Sequence, residues 1–218
     1  LTAIQQRQAK PEVKLISTAL WNDGAWAQHT VPFKVNGRPY LVSVDEMGSD
    51  GAQSAALRYS TCQSGRLGYG IPRIYDISDE TKPTLVSKLI LEIGQLENCI
   101  QANADTSTAV IFSYDSHYCS VDNPEEATLL ACNYFNSGLR LFDVRNPSAV
   151  KEIAYFNPAM KPGYKAGSTF AISGACVGAD WTGSRPTILK DKGQIWFSSQ
   201  CAGFQIVQMG AAIYPLLK

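Results

Sequence analysis

Apolar residues recur along this chain in short runs, and no long stretch holds them at a 3.6-residue period. HTVPFKV (29 to 35), YLVSVD (40 to 45), IPRIYDI (71 to 77) and TLVSKLI (84 to 90) are rich in β-branched and aromatic residues and bounded by Gly, Pro, Asn and Asp. HYCSV (117 to 121), TLLACN (128 to 133), GLRLFDV (138 to 144) and KEIAYF (151 to 156) repeat the pattern. Each run is too short for a helix and carries the residues that pack well on a pleated sheet, so each predicts a β-strand.

The runs repeat in order as well as in kind. Laying IPRIYDISDETKPTLVSKL on GLRLFDVRNPSAVKEIAYF sets Arg73 on Arg140 and Asp76 on Asp143, with like apolar residues between them. Laying HTVPFKVNGRPYLVSVDE on HYCSVDNPEEATLLACNY sets His29 on His117 and Leu41 on Leu129, and places the two histidines at equivalent positions. A weaker third copy, GQIWFSSQCAGFQIVQ, covers 193 to 208. Between the last two strands of a unit, Asp143, Asn146 and Pro147 form a turn signal, as Asp76 and Asp79 do one unit earlier, because Asp and Asn bond nearby backbone N–H groups and Pro ends a strand. The fold class predicted is all-β, made of β-propeller blades of four antiparallel strands. The repeat units span about 29–90, 117–156 and 170–208, within a single domain or domain fragment covering 1–218. Three units fall short of the four to eight that close a propeller, so the chain is expected to be part of a larger one.

The runs LVSVDE, GIPRIYDISDETKPTLVSKL and LLACNYFNSGLRLFDVRNPSAVKEIAYFNP resemble the LVIVD-repeat family over about residues 29 to 208. That resemblance implies β-propeller blades in a secreted or surface protein, with no agreed activity and no catalytic motif. The chain departs from the pattern in a long insertion between Glu46 and Ile71 and in Val150, which stands where the first unit has Pro83.

Composition narrows the function classes. Nineteen basic residues balance nineteen acidic ones, with no basic cluster interleaved with aromatics, so no nucleic-acid partner is expected. No apolar run approaches the roughly 20 residues of a membrane span, and no transmembrane segment is expected. The first residues, LTAIQQRQAKPEVKL, lack a leading Met and an apolar signal core, as a mature or trimmed product would. Six cysteines without any C-x-x-C predict disulfides and an extracytoplasmic location: secreted, periplasmic or cell surface. Cys119 and Cys132 fall on Val31 and Val44 of the first unit, so a cross-strand apolar pair is replaced by a staple. Cys176 with Cys201 and Cys62 with Cys99 are the remaining pairs expected.

Candidate chemistry collects on one face. In an antiparallel meander the second-to-third strand connections and those between units emerge together, bringing the 47 to 70 insertion to His29, Asp45, Glu46, Asp115 and His117. These five are the candidate ligand-binding residues, since binding groups concentrate on loops held by a rigid scaffold. For the histidines, capping a strand and bonding a backbone carbonyl is the commoner use, ahead of binding or acid/base work. Asp45, Glu46 and Asp50 suggest Ca²⁺ at most, because D-E-M-G-S-D lacks the alternation of a dedicated loop, and no other cofactor is expected. No G-x-S-x-G, P-loop, H-E-x-x-H or dinucleotide fingerprint occurs, so no catalytic residue is assigned. Trp21, Trp26, Tyr69, Tyr118 and Trp181 are candidates for stacking on sugar rings, with core packing the commoner use. The expected function is a binding or assembly module whose partner is another protein or the remaining blades of a longer chain. The alternative is an extracytoplasmic hydrolase or lyase with a His/carboxylate site at the channel mouth. The insertion, rich in Gly, Ser and Ala, reads as a loop whose removal leaves the strands intact.

Overall fold

Asn36 and Gly37 both take positive φ, 51° and 73°. That is the geometry of a two-residue hairpin turn, and it locks Val35 opposite Arg38. From this turn the first sheet is laid down as a meander: β1 (Ala25–Val35), β2 (Arg38–Met47), β3 (Pro72–Asp76) and β4 (Thr84–Lys88), paired antiparallel in chain order. β5 (Ser116–Val121), β6 (Leu129–Tyr134), β7 (Gly138–Asp143) and β8 (Lys151–Phe156) form the second sheet in the same way. β9 (Thr187–Leu189), β10 (Gln194–Ser199) and β11 (Gly203–Gln208) form a third. The computed structural model describes residues 5–7, 12–106, 112–159, 180–200 and 202–213, and among them the third sheet has three strands where four were expected. The pairing of Cys176 with Cys201 lies outside the described residues.

The sheets stack face to face. Val42, Val44 and Ile74 of the first meet Leu130, Cys132 and Phe142 of the second in one buried core. Leu129, Ala131, Leu139 and Leu141 on the opposite side of the second sheet meet Ile195 and Phe197 of the third in another. All six residues of β6 are therefore buried, which is why it reads as a continuous apolar run and not as an alternation. First strands approach one another: β1 and β2 contact β5, and β5 contacts β9. Backbone bonds stitch each first strand to the preceding sheet, with Ser116 N–H donating to Gly70 O at 3.0 Å and Thr182 N–H to Phe135 O at 2.9 Å.

The register corrects one sequence expectation. Ala27 stands opposite Asp45 and Ser116 opposite Tyr134, and a register shift follows in each sheet. Gln28 and His117, 89 residues apart, thus share the irregular position, and the counterpart of His29 is Tyr118. The two histidines are not equivalent. The Cys119–Cys132 disulfide forms between directly opposed residues with Cα atoms 4.1 Å apart, but its counterparts in the first sheet are the Thr30 and Ser43 pair, while Val31 pairs with Val42. A slip of one residue moves a strand's side chains to its other face, and similarity of apolar runs alone does not resolve it.

The insertion is also more than the loop expected. It folds into α1 (Ala55–Gln63), joined by Cys62–Cys99 (Cα–Cα 5.7 Å) to α2 (Cys99–Thr106) in the connection after β4. Ser54 caps α1 by accepting from Leu57 N–H at 3.3 Å, and Arg58 and Ser49 are fully buried beneath it. On the far side of the first sheet, residues 12–24 run as a strap. Trp21 donates to Asp45 Oδ2 at 2.9 Å, and Asp23 takes Arg73 Nη2 at 2.7 Å. A Cβ at Gly24 would collide with the Asp45 carboxylate and the Arg73 guanidinium, so only glycine lets the strap come this close.

Candidate functional site

The irregularity in β1 and β5 turns Gln28 and His117 toward the junction of the sheets, where a polar cluster forms. His117 Nε2 lies 2.5 Å from Glu46 Oε1 at the end of β2 and 3.0 Å from the Gln28 amide. His117 Nδ1 bonds the carbonyl of Gly183, in the segment leading to β9. One side chain thereby links the first two sheets to the segment that leads into the third. Its walls are aromatic: the Phe135 ring lies 4.6 Å and the Tyr118 ring 4.3 Å from the imidazole, and Trp181 stacks on Phe135 at 4.4 Å.

His29 lies beside this cluster, its ring 4.8 Å from Tyr118. Its Nε2 accepts from the Cys119 N–H at 3.1 Å, which places the ring hydrogen on Nδ1. Burial holds its pKa down to about 4, with the Arg185 cation and His117 acting in the same direction. His29 is a neutral acceptor at neutral pH.

The other predicted residues do not join. Asp45, one residue from Glu46, points to the opposite face as strand alternation requires, and there it pairs with Arg73. Asp115 is buried and accepts from Gly70 N–H at 2.7 Å and Ser113 N–H at 2.9 Å, so it pins the connection above the cluster. Asp50 pairs with Arg66 at the surface. The carboxylates proposed for Ca²⁺ therefore go three separate ways, to Arg73, His117 and Arg66. Of the five candidates, the fold brings together His29, Glu46 and His117. Gln28, Gly183 and Phe135 escaped the sequence reading. The Asn36-Gly37 turn is a signal for the pairing of β1 with β2 as far as His29 opposite Val44, but the irregularity beyond it that turns Gln28 inward has no signal in the apolar pattern. Among the aromatic candidates, Trp181 and Tyr69 are buried and Trp26 is half-exposed.

Chemically, the cluster offers a carboxylate, an imidazole and aromatic faces, with the ring nitrogens that hold bonds committed to protein groups. No described helix is long and apolar enough to cross a membrane. No protein-family model and no curated protein matches the chain.

Proposed function

We propose that the chain is a stretch of an extracytoplasmic β-propeller of LVIVD-repeat type that serves as a binding and assembly module. The two disulfides suggest an oxidising environment. Three sheets stacked in the same sense, with first strands adjacent, are what successive blades require. The observation that carries the assembly reading is the outer face of the third sheet. Thr182 bridges Ser199 as Ser116 pairs with Tyr134. This places Phe204 and Ile206 at the positions of Leu139 and Leu141. Those leucines are 1% and 5% exposed against the next sheet, whereas Phe204 and Ile206 are 62% and 52% exposed. An apolar face built to the same pattern, and open, is a contact surface for a further blade or partner. Catalysis is less well supported, because His29, His117, Asp115 and Asp45 each hold a bond that joins segments of the fold.

The test is the double variant Phe204→Asp/Ile206→Asp in the purified chain. Binding of an apolar fluorescent dye and the mass measured by light scattering should both fall toward those of a non-associating monomer, while the thermal midpoint stays unchanged. Dye binding and mass equal to those of the unsubstituted chain would remove this face as a contact surface.

A further inference from the structure

His117 faces acceptors on both ring nitrogens. The Gly183 carbonyl can only accept, so Nδ1 carries a hydrogen. Nε2 lies 2.5 Å from a Glu46 carboxylate oxygen, an acceptor when ionised, so a hydrogen bond between them needs a hydrogen on Nε2. The Gln28 amide nitrogen lies 3.0 Å from the same ring atom, and exchanging the amide's oxygen and nitrogen, which leaves its outline unchanged, makes it a further acceptor. The side chains of His117 and Glu46 are only 17% and 13% exposed, so water replaces these bonds poorly.

We propose that His117 is a proton-dependent clamp that holds the three sheets in register: protonated, it bridges Glu46 of the first sheet to Gly183 before the third. When the proton leaves, the Nε2 lone pair faces the Glu46 carboxylate, attraction becomes repulsion, and the junction loosens. The proton goes to water, and no other bond is made or broken. The groups packed around the ring fit this role. From the first sheet come Glu46 and Gln28, together with His29, which is neutral and does not compete as a second cation. From the segment before β9 comes Arg185, which donates to the Cys119 carbonyl at 3.4 Å, while Phe135 and Trp181 contribute no charge. On β5 itself Tyr118 presents an aromatic ring and Cys119 is bonded to Cys132. Asp115, just before β5, is spent on Gly70 and Ser113.

The experiment has two arms. In the unsubstituted chain, ¹⁵N NMR of the His117 ring should show both nitrogens protonated at about pH 5.5 and the Nδ1–H tautomer alone at about pH 8, the range across which histidine switches. A thermodynamic cycle of Glu46→Gln, His117→Gln and the double variant should give roughly tenfold coupling in the folding equilibrium at the lower pH and none at the higher. Amide exchange at Thr182 to Arg185 should rise at the higher pH beyond its chemical acceleration. A neutral ring at about pH 5.5, or equal coupling at the two pH values, overturns the clamp. Should the variants fail to fold, the NMR and exchange arms on the unsubstituted chain decide alone.

Discussion

At the scale of single residues, Asp115 and His29 give the protein two opposing responses to pH. Burial pushes the Asp115 carboxyl up from 3.8 to about 6, against the pull of its bonds from Gly70 and Ser113. The folded state therefore holds this proton more tightly than the unfolded one. The stability it confers is complete below 3.8 and is lost as pH rises through about 6. His29 runs the other way: burial lowers it from 6.5 to about 4, so its contribution is complete above 6.5 and lost as pH falls through about 4. The windows overlap, and single substitutions separate them. Asp115→Asn keeps one acceptor but turns an NH₂ toward the second N–H, and should cost about 1–3 kcal/mol at neutral pH. It should also abolish the decline between 3.8 and about 6. His29→Gln preserves an acceptor for the Cys119 N–H without titrating, and should reduce the loss of stability in acid. Urea unfolding across pH 4 to 7 reads both, and unchanged pH profiles would show that neither group is linked to folding.

At the scale of elements, the strands were legible and the helices were not, for a common reason. A run such as GLRLFDV between turn residues has little choice but a strand, and 138 to 144 became Gly138–Asp143. The predicted turn chemistry is present as well: Asp76 and Asp143 accept from Ser78 and Arg145 N–H at 2.9 and 3.0 Å. α1 and α2, by contrast, are 9 and 8 residues long, too short to show a sustained period or to be stable alone. What forms them is tertiary: the Cys62–Cys99 bond, the Ser54 cap and the burial of Arg58. The candidate site was only half legible for a related reason. Similarity of apolar runs locates strands but does not set which face a residue occupies, so His29 was placed where Gln28 stands, and Asp45 beside Glu46. Two consequences are measurable. Cys62→Ser/Cys99→Ser reopens a loop of separation 37 and should lower stability by about 4 kcal/mol in the chain-entropy view, with exchange rising first in α1 and α2. Deleting Ser49 to Ser64 should cost more, since it also removes buried Ser49 and Arg58. A deletion variant that unfolds at the original urea midpoint would restore the view of the insertion as a passive loop.

At the scale of the whole molecule, each sheet buries its faces, among the described residues, against its neighbours in sequence, and the first sheet uses the strap of residues 12–24 in place of a preceding sheet. The substitution is visible in the residues. Asp45, Ser43 and Tyr75 of the first sheet occupy the positions of Tyr134, Cys132 and Phe142 in the second. There an apolar face meets another sheet, whereas here a polar one meets Trp21 and Asp23. Arg73 is the centre: fully buried, held by Asp45 and Asp23, and lying over the Trp21 ring at 5.4 Å. A stack with only nearest-neighbour interfaces responds locally to damage at one end. A chain shortened to begin at Gly24 leaves Arg73 with Asp45 but without Trp21 and the partly exposed Asp23, and losing hydrogen bonds to a charged group of this kind costs about 1.5–3 kcal/mol. Amide exchange should therefore quicken in β1 to β4, change little in β6 and β7, and not change in β10 and β11. The milder Trp21→Ala/Asp23→Asn variant should give the same gradient at smaller amplitude, which keeps the test usable if the truncated chain does not fold. Uniform quickening across all three sheets would mean that the stack unfolds as one cooperative unit, and no quickening in β1 to β4 would mean that the strap merely lies on the first sheet without holding it.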